Sequence, residues 1–128
     1  SRRMRRNAFL RILYSTDRLR AADLPQLAAE TARLIGRDLA ESPPILMKQL
    51  KACARHHLHP RLGELARTPT LVVSAEHDVI ACPAYGRDLA AAIPGAEFVL
   101  HPGMAHGNLL EQAAWLNERL LRHFGVER

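Results

Sequence analysis

Apolar and polar positions change period along the chain. Over residues 24–35, Leu24, Leu27, Ala28, Thr31, Leu34 and Ile35 recur at three- and four-residue spacing, the stripe of an amphipathic helix. Asp23 precedes that stripe with Gln26 three residues on, a capping box, and Pro25 falls in the first turn, where its missing N–H costs nothing. The stretch SPPILMKQLKACARHHL predicts a second helix, with Ser42 as N-cap, Pro43 at the first position, and Leu46, Leu50, Cys53 and Ala54 on the buried face. Residues 7–14 carry a shorter helical pattern. After Leu62 the character changes. TLVVS (Thr70 to Ser74) and EFVLH (Glu97 to His101) are short runs bounded by turn residues, as expected of buried strands. Between them Pro83 opens a helix, PAYGRDLAAAI, which Pro94 and Gly95 stop. NLLEQAAWLNERLLRHFG predicts one last helix, with Asn108 and Glu111 as a capping box, Gly125 as its stop, and a stripe of Leu109, Ala113, Leu116, Leu120 and Phe124.

Strand, helix, strand within this length is a βαβ unit, so the two strands are predicted to be parallel and the class to be α/β. Loops at the carboxyl ends of parallel strands are where open α/β sheets place ligands and catalysis. Asp78 follows Ser74 by four residues and His106 follows His101 by five. Neighbouring strands lie about 4.8 Å apart, so a carboxylate and an imidazole on these loops can meet above the sheet. Glu76 and His77 flank Asp78 and could substitute for it or support it. Trp115 and Tyr85 read as packing residues.

The run TPTLVVSAEHDVIACPAYGRDLAAAIPGAEFVLHPGMAHGNLLEQAAWLNERLLRHF resembles the C-terminal part of the α/β-hydrolase superfamily: penultimate strand, acid loop, helix, last strand, histidine loop and final helix. Residues 1–60 are similar in character to the helical cap many members insert before the penultimate strand. The resemblance implies a partial α/β-hydrolase fold, a helical cap-like segment over 1–60 followed by a βαβα unit with two parallel strands over 61–128. It implies Asp78 as the acid and His106 as the general base of a Ser-His-Asp triad. The chain departs from the frequent Gly-x-Gly-His pattern at Ala105, and Ser74 stands near a usual Gly; both are small. In this family the nucleophile sits in Gly-x-Ser-x-Gly at a strand-to-helix elbow. No such motif occurs, and Ser1, Ser15, Ser42 and Ser74 are the chain's only serines. The expectation is therefore the C-terminal portion of an esterase- or lactonase-like serine hydrolase, inactive alone. The alternative is a non-catalytic interaction or assembly domain derived from one. The resemblance implies a small ester-like substrate for the complete enzyme and no cofactor or metal. Two unpaired sheet edges call for a homo-oligomer or for the missing N-terminal hydrolase half.

Composition narrows this further. At 128 residues, 48% apolar and 24% charged, the chain suits a folded domain rather than a disordered segment. No apolar run is long enough to span a bilayer, and Arg11 interrupts the only stretch resembling a signal peptide. These features place the expected location in the cytoplasm, with no membrane partner. The missing initiator Met suggests a processed, truncated or engineered start. The net charge of +5 is confined to residues 1–20, which hold seven arginines against Asp17. Without interleaved aromatics or a recognisable DNA-binding motif, that end predicts a solvated or partner-facing surface and not a nucleic-acid site. Cys53 and Cys82 predict reduced thiols. The cluster CARHHLHP lacks a second group to complete a tetrahedral metal site, so His56, His57 and His59 read as surface residues.

Overall fold

Leu10 and Thr31 have no accessible surface, and the helical first part of the chain is built around them. A computed structural model describes residues 1–126 and resolves them into two units. Ser1–Arg11 and Thr16–Leu58 make one; Ile12–Ser15 and the residues from His59 onward make the other.

The first unit holds most of α1 (Arg2–Leu13), α2 (Thr16–Ala21), α3 (Leu24–Ile35) and α4 (Leu46–Arg55). Leu10, Leu27, Ala28, Thr31, Leu39 and Ala40 are its buried residues. α3 starts where the sequence predicts: Asp23 Oδ1 accepts the Gln26 N–H at 3.0 Å, and Gly36 ends it at φ +78°. The box is only half formed, because the Gln26 amide donates to Glu30 instead of returning to Asp23. α1 is longer than its apolar pattern suggests, and α2 was not anticipated. Four arginines in the first turns of α1 oppose the helix dipole. Asp38 answers them: its carboxylate accepts from Arg6 Nε at 2.9 Å and also from Arg2, while Arg5 Nε donates to the Ala40 carbonyl. The Arg6 bond first, then the Ala40 N–H and Arg2, hold the Asp38 carboxyl far below the usual carboxylate range. Three of the N-terminal arginines thus bond the unit's own 38–41 turn while remaining partly exposed, with Arg2 at 55% and Arg6 at 42%.

α4 departs further from expectation. It begins after Ile45 with no side-chain cap, so Ser42 is not its N-cap and Pro43 is not its first residue. Pro44 disfavours the helical conformation for Pro43, which delays the start. Leu46, Leu50 and Cys53 are exposed, so the face predicted to be buried is not.

The second unit runs through a 3-10 turn (His59–Leu65), β1 (Leu71–Ala75), α5 (Pro83–Ala92), β2 (Glu97–His101), α6 (Asn108–Glu111) and α7 (Ala113–His123). β1 starts one residue later than predicted. The strands pair in parallel, from Leu71 opposite Glu97 to Ala75 opposite His101. Val72, Ala75, Ala90, Ile93 and Ala105 are buried in this unit, with Leu13 and Tyr14. The single terminal helix predicted from Asn108 is two: the chain breaks at Gln112 (φ −133°), and Asn108 caps nothing with its side chain. Glu111, expected to complete a capping box, instead bonds the N–H and hydroxyl of Ser15 at 2.9 and 2.8 Å. No helix among the described residues is long and apolar enough to cross a membrane.

Gly86 lets α5 lie close to the sheet. A Cβ there would overlap Ser74 Oγ and come within 3.2 Å of Phe98 Cε2. Gly86→Ala is therefore expected to cost about 1–3 kcal/mol by overpacking, although alanine is the better helix former. Urea unfolding should show a lowered midpoint, largely restored when Ser74→Ala removes the obstructing hydroxyl. No recovery in the double variant would mean that the strain lies elsewhere.

Candidate active site

Beyond Ala75 the chain leaves β1 through Glu76, His77 and Asp78. The Asp78 N–H returns to the Ala75 carbonyl at 3.2 Å, a tight exit that turns the side chain inward. Asp78 is the one buried acid among the described residues, its side chain 9% exposed. Oδ1 accepts the N–H groups of Ile80 and Ala81, both at 2.8 Å, a local turn that aspartate supports well. Oδ2 lies 2.8 Å from His106 Nδ1. One oxygen holds the loop, and the other holds the histidine.

The histidine loop leaves β2 through a Pro102–Gly103 turn, with Gly103 at φ +70°, where glycine is favoured. Glu76 and His77 tie this loop to the acid loop. The Glu76 N–H donates to the His101 carbonyl (3.0 Å), the His77 N–H to the Met104 carbonyl (2.8 Å), and the Glu76 carboxylate accepts the Gly103 N–H (2.8 Å). On the far side, the N–H groups of His106 and Gly107 donate to the carbonyls of Ile12 and Leu13, at 3.2 and 2.7 Å. Those carbonyls lie at the C-terminal end of α1, where no intrahelical partner exists for them. Gly107 must be small, since a Cβ would meet the Leu13 carbonyl oxygen at 2.6 Å.

Burial pushes the Asp78 carboxyl up, but the hydrogen bonds from the His106 ring and from the Ala81 and Ile80 amides outweigh it. The carboxyl titrates below its usual range. Ionised aspartate only accepts, so Nδ1 of a neutral His106 must carry the proton and Nε2 the lone pair. The His106 side chain is 39% exposed, open to an incoming group. His101, five residues earlier, is its opposite. It is buried and stacked on Trp115 with ring centroids 3.9 Å apart, and burial lowers its pKa despite the nearby Glu111.

The structure thus brings Asp78 and His106 into contact. Glu76 serves the Pro102–Gly103 turn, and His77 is exposed with its ring 3.9 Å from Glu76. Cys53, His56, His57 and His59 are exposed, and among the described residues no three His, Cys, Asp or Glu side chains are grouped to hold a metal ion. Trp115 packs as expected, whereas Tyr85 is 67% exposed and does not. Sequence reasoning missed the Glu76–Gly103 bond, which the Pro-Gly pair after β2 could have suggested. It also missed the Ser15–Glu111 pair, for which no local signal exists.

No family model matches the chain. Among curated proteins, one provisionally named carbamate hydrolase RutD from Klebsiella pneumoniae (strain 342) is 37% identical over 86 residues, 67% of this chain and 31% of that protein. The RutD of Klebsiella variicola (strain At-22) matches to the same extent. The chain therefore spans about a third of the length of these relatives. Among solved structures, a provisional non-heme bromoperoxidase, BpoC, from Mycobacterium tuberculosis H37Rv superposes with a TM-score of 0.82 at 22% identity, over 100% of this chain and 47% of that one. The enol-lactonase of Burkholderia xenovorans LB400 gives a TM-score of 0.73 at 25% identity, over 94% of this chain and 44% of that one. Helices joined to a two-stranded parallel sheet, matching just under half of such enzymes, make this a partial α/β-hydrolase fold, and the chain is related to the α/β-hydrolase superfamily.

Proposed function

We propose that this chain supplies the acid and the general base of a serine hydrolase, Asp78 and His106, and that the nucleophile and oxyanion hole lie outside these 128 residues. The observation that carries the reading is the 2.8 Å contact between Asp78 Oδ2 and His106 Nδ1, made while Oδ1 is pinned by two main-chain amides. A serine hydroxyl becomes an effective nucleophile when an imidazole accepts its proton. Nε2 of His106 takes that proton. Asp78 keeps the ring in the required tautomer and stabilises the imidazolium that forms. His106 then returns the proton to the leaving group, and a water repeats the cycle on the acyl-enzyme. The names of the relatives, a carbamate hydrolase and an enol-lactonase, share an acyl carbonyl as the point of attack. Esters, lactones and related acyl compounds are accordingly the proposed substrate class.

In this reading residues 1–60 act as the cap that shapes the substrate pocket, and residues 61–128 as the catalytic part. Each strand of the sheet has one unpaired edge among the described residues. A second copy or the nucleophile-bearing portion of the hydrolase would cover them.

Three measurements test the proposal. In the complete hydrolase, His106→Ala should lower kcat by about a thousandfold or more, and Asp78→Asn by roughly 10³–10⁴. Turnover that survives His106→Ala would remove His106 from the chemistry. The isolated 128-residue chain should not react with a fluorophosphonate probe; stoichiometric labelling would place a nucleophile within it. The third concerns pH. Because the folded-state carboxyl of Asp78 titrates below its unfolded value, its stabilising contribution is present above about pH 4 and lost as pH falls through the folded pKa. Asp78→Asn should therefore flatten the fall of unfolding free energy on acidification from about pH 5 to 2. An unchanged slope would show that the carboxylate is not held as described.

A further inference from the structure

The two loops that meet at Asp78 and His106 are unequal in length. Asp78 lies three residues beyond Ala75, and His106 lies five beyond His101, the residue paired with Ala75. The surplus must be folded away without lifting His106 from the carboxylate. Pro102 and Gly103 absorb it in their turn, and that turn needs holding. Pro102 has no N–H to give. The His101 carbonyl before the turn is taken by the Glu76 main chain, and the Gly103 N–H within it by the Glu76 carboxylate.

We propose that Glu76 is a positioning residue for His106: by bonding His101 through its N–H and Gly103 through its carboxylate, it brackets the Pro102–Gly103 turn and sets where the base meets Asp78. The inference rests on the reading of Asp78 and His106 as acid and base. The carboxylate bond to Gly103 is charge-assisted and therefore stronger than a neutral one. The Glu76 side chain is 46% exposed, so the bond adds little to global stability and acts on the loop locally. The neighbouring His77 ring, at 3.9 Å and exposed, is too loosely placed to be the carboxylate's main partner. His77 contributes through its main chain, whose N–H on the Met104 carbonyl fixes the loop's next step.

The test reads the tautomer of His106 in the ¹⁵N-histidine-labelled chain by long-range ¹H–¹⁵N correlation, at a pH where the ring is neutral. The wild-type ring should carry its proton on Nδ1. Glu76→Ala should lower the Nδ1–H to Nε2–H ratio about three- to tenfold, the worth of one net hydrogen bond. Glu76→Gln keeps an acceptor for the Gly103 N–H and should restore the ratio, with the urea midpoint unchanged in both variants. An unaltered ratio in Glu76→Ala overturns the proposal. So does a Glu76→Gln variant as impaired as the alanine, or a midpoint that falls in step with the ratio, which would make Glu76 a general support. A wild-type ring already protonated on Nε2 would instead sink the acid–base reading itself, whatever Glu76 does.

Discussion

The pairing of Ala75 with His101, the last rung of the parallel ladder, is the constraint on which the candidate site depends. It fixes where the two loops start, at neighbouring heights on neighbouring strands. Everything beyond it is an extension of the ladder by irregular means. Glu76 donates to His101, His77 donates to Met104, and only then do Asp78 and His106 touch. A one-residue slip would send alternate side chains to the other face of the sheet and separate the pair. Parallel strands impose this burden because no hairpin sets their register; packing and the crossover helix must do it. Gly86, pressed against Ser74, is the point where α5 contributes most visibly to that register.

Much of this was legible in the sequence wherever the governing interactions are local. The period change after Leu62, the β-branched run in TLVVS and the Pro-Gly stop after α5 are short-range signals, and they produced the βαβ order and the parallel pairing. Asp78 and His106 could be paired on paper because each follows a strand by a few residues. What escaped was decided by side chains far apart in sequence or by competition between local rules. Glu111 fits a capping box with Asn108 on spacing alone, yet its carboxylate bonds Ser15 from near the other end of the chain, and the helix breaks at Gln112. Pro43 fits a first helical position, but Pro44 behind it disfavours that geometry. The apolar stripe of α4 predicted burial, which depends on a neighbour that sequence periodicity cannot supply.

The charge pattern follows the same logic. Seven arginines near the start of the chain suggest an electropositive surface, and arginines in the first turn of a helix are unfavourable against its dipole. The structure answers part of both points with one acid. Asp38 gathers Arg2 and Arg6, and Arg5 reaches the Ala40 carbonyl beside it, so a helix start and a distant turn become one bonded group. Net charge counted along a chain is therefore a poor guide to the field outside it when the counter-charges arrive from elsewhere in the fold.

His101 and His106 show how environment, and not residue type, divides roles within one short loop. His101 is buried against Trp115, and burial disfavours its charged form. It is suited to packing and would be a poor proton acceptor. His106 sits at the surface with Nδ1 on an ionised carboxylate, so its Nε2 carries the lone pair and its protonated form has a partner. The separation needs both halves of the arrangement. The stack keeps the His101 ring packed in the fold, while the Pro102–Gly103 turn takes up the loop's extra length before His106 meets Asp78. The surplus residues of the loop therefore have a structural consequence, because they place a second histidine against Asp78 while the first is held in the stack.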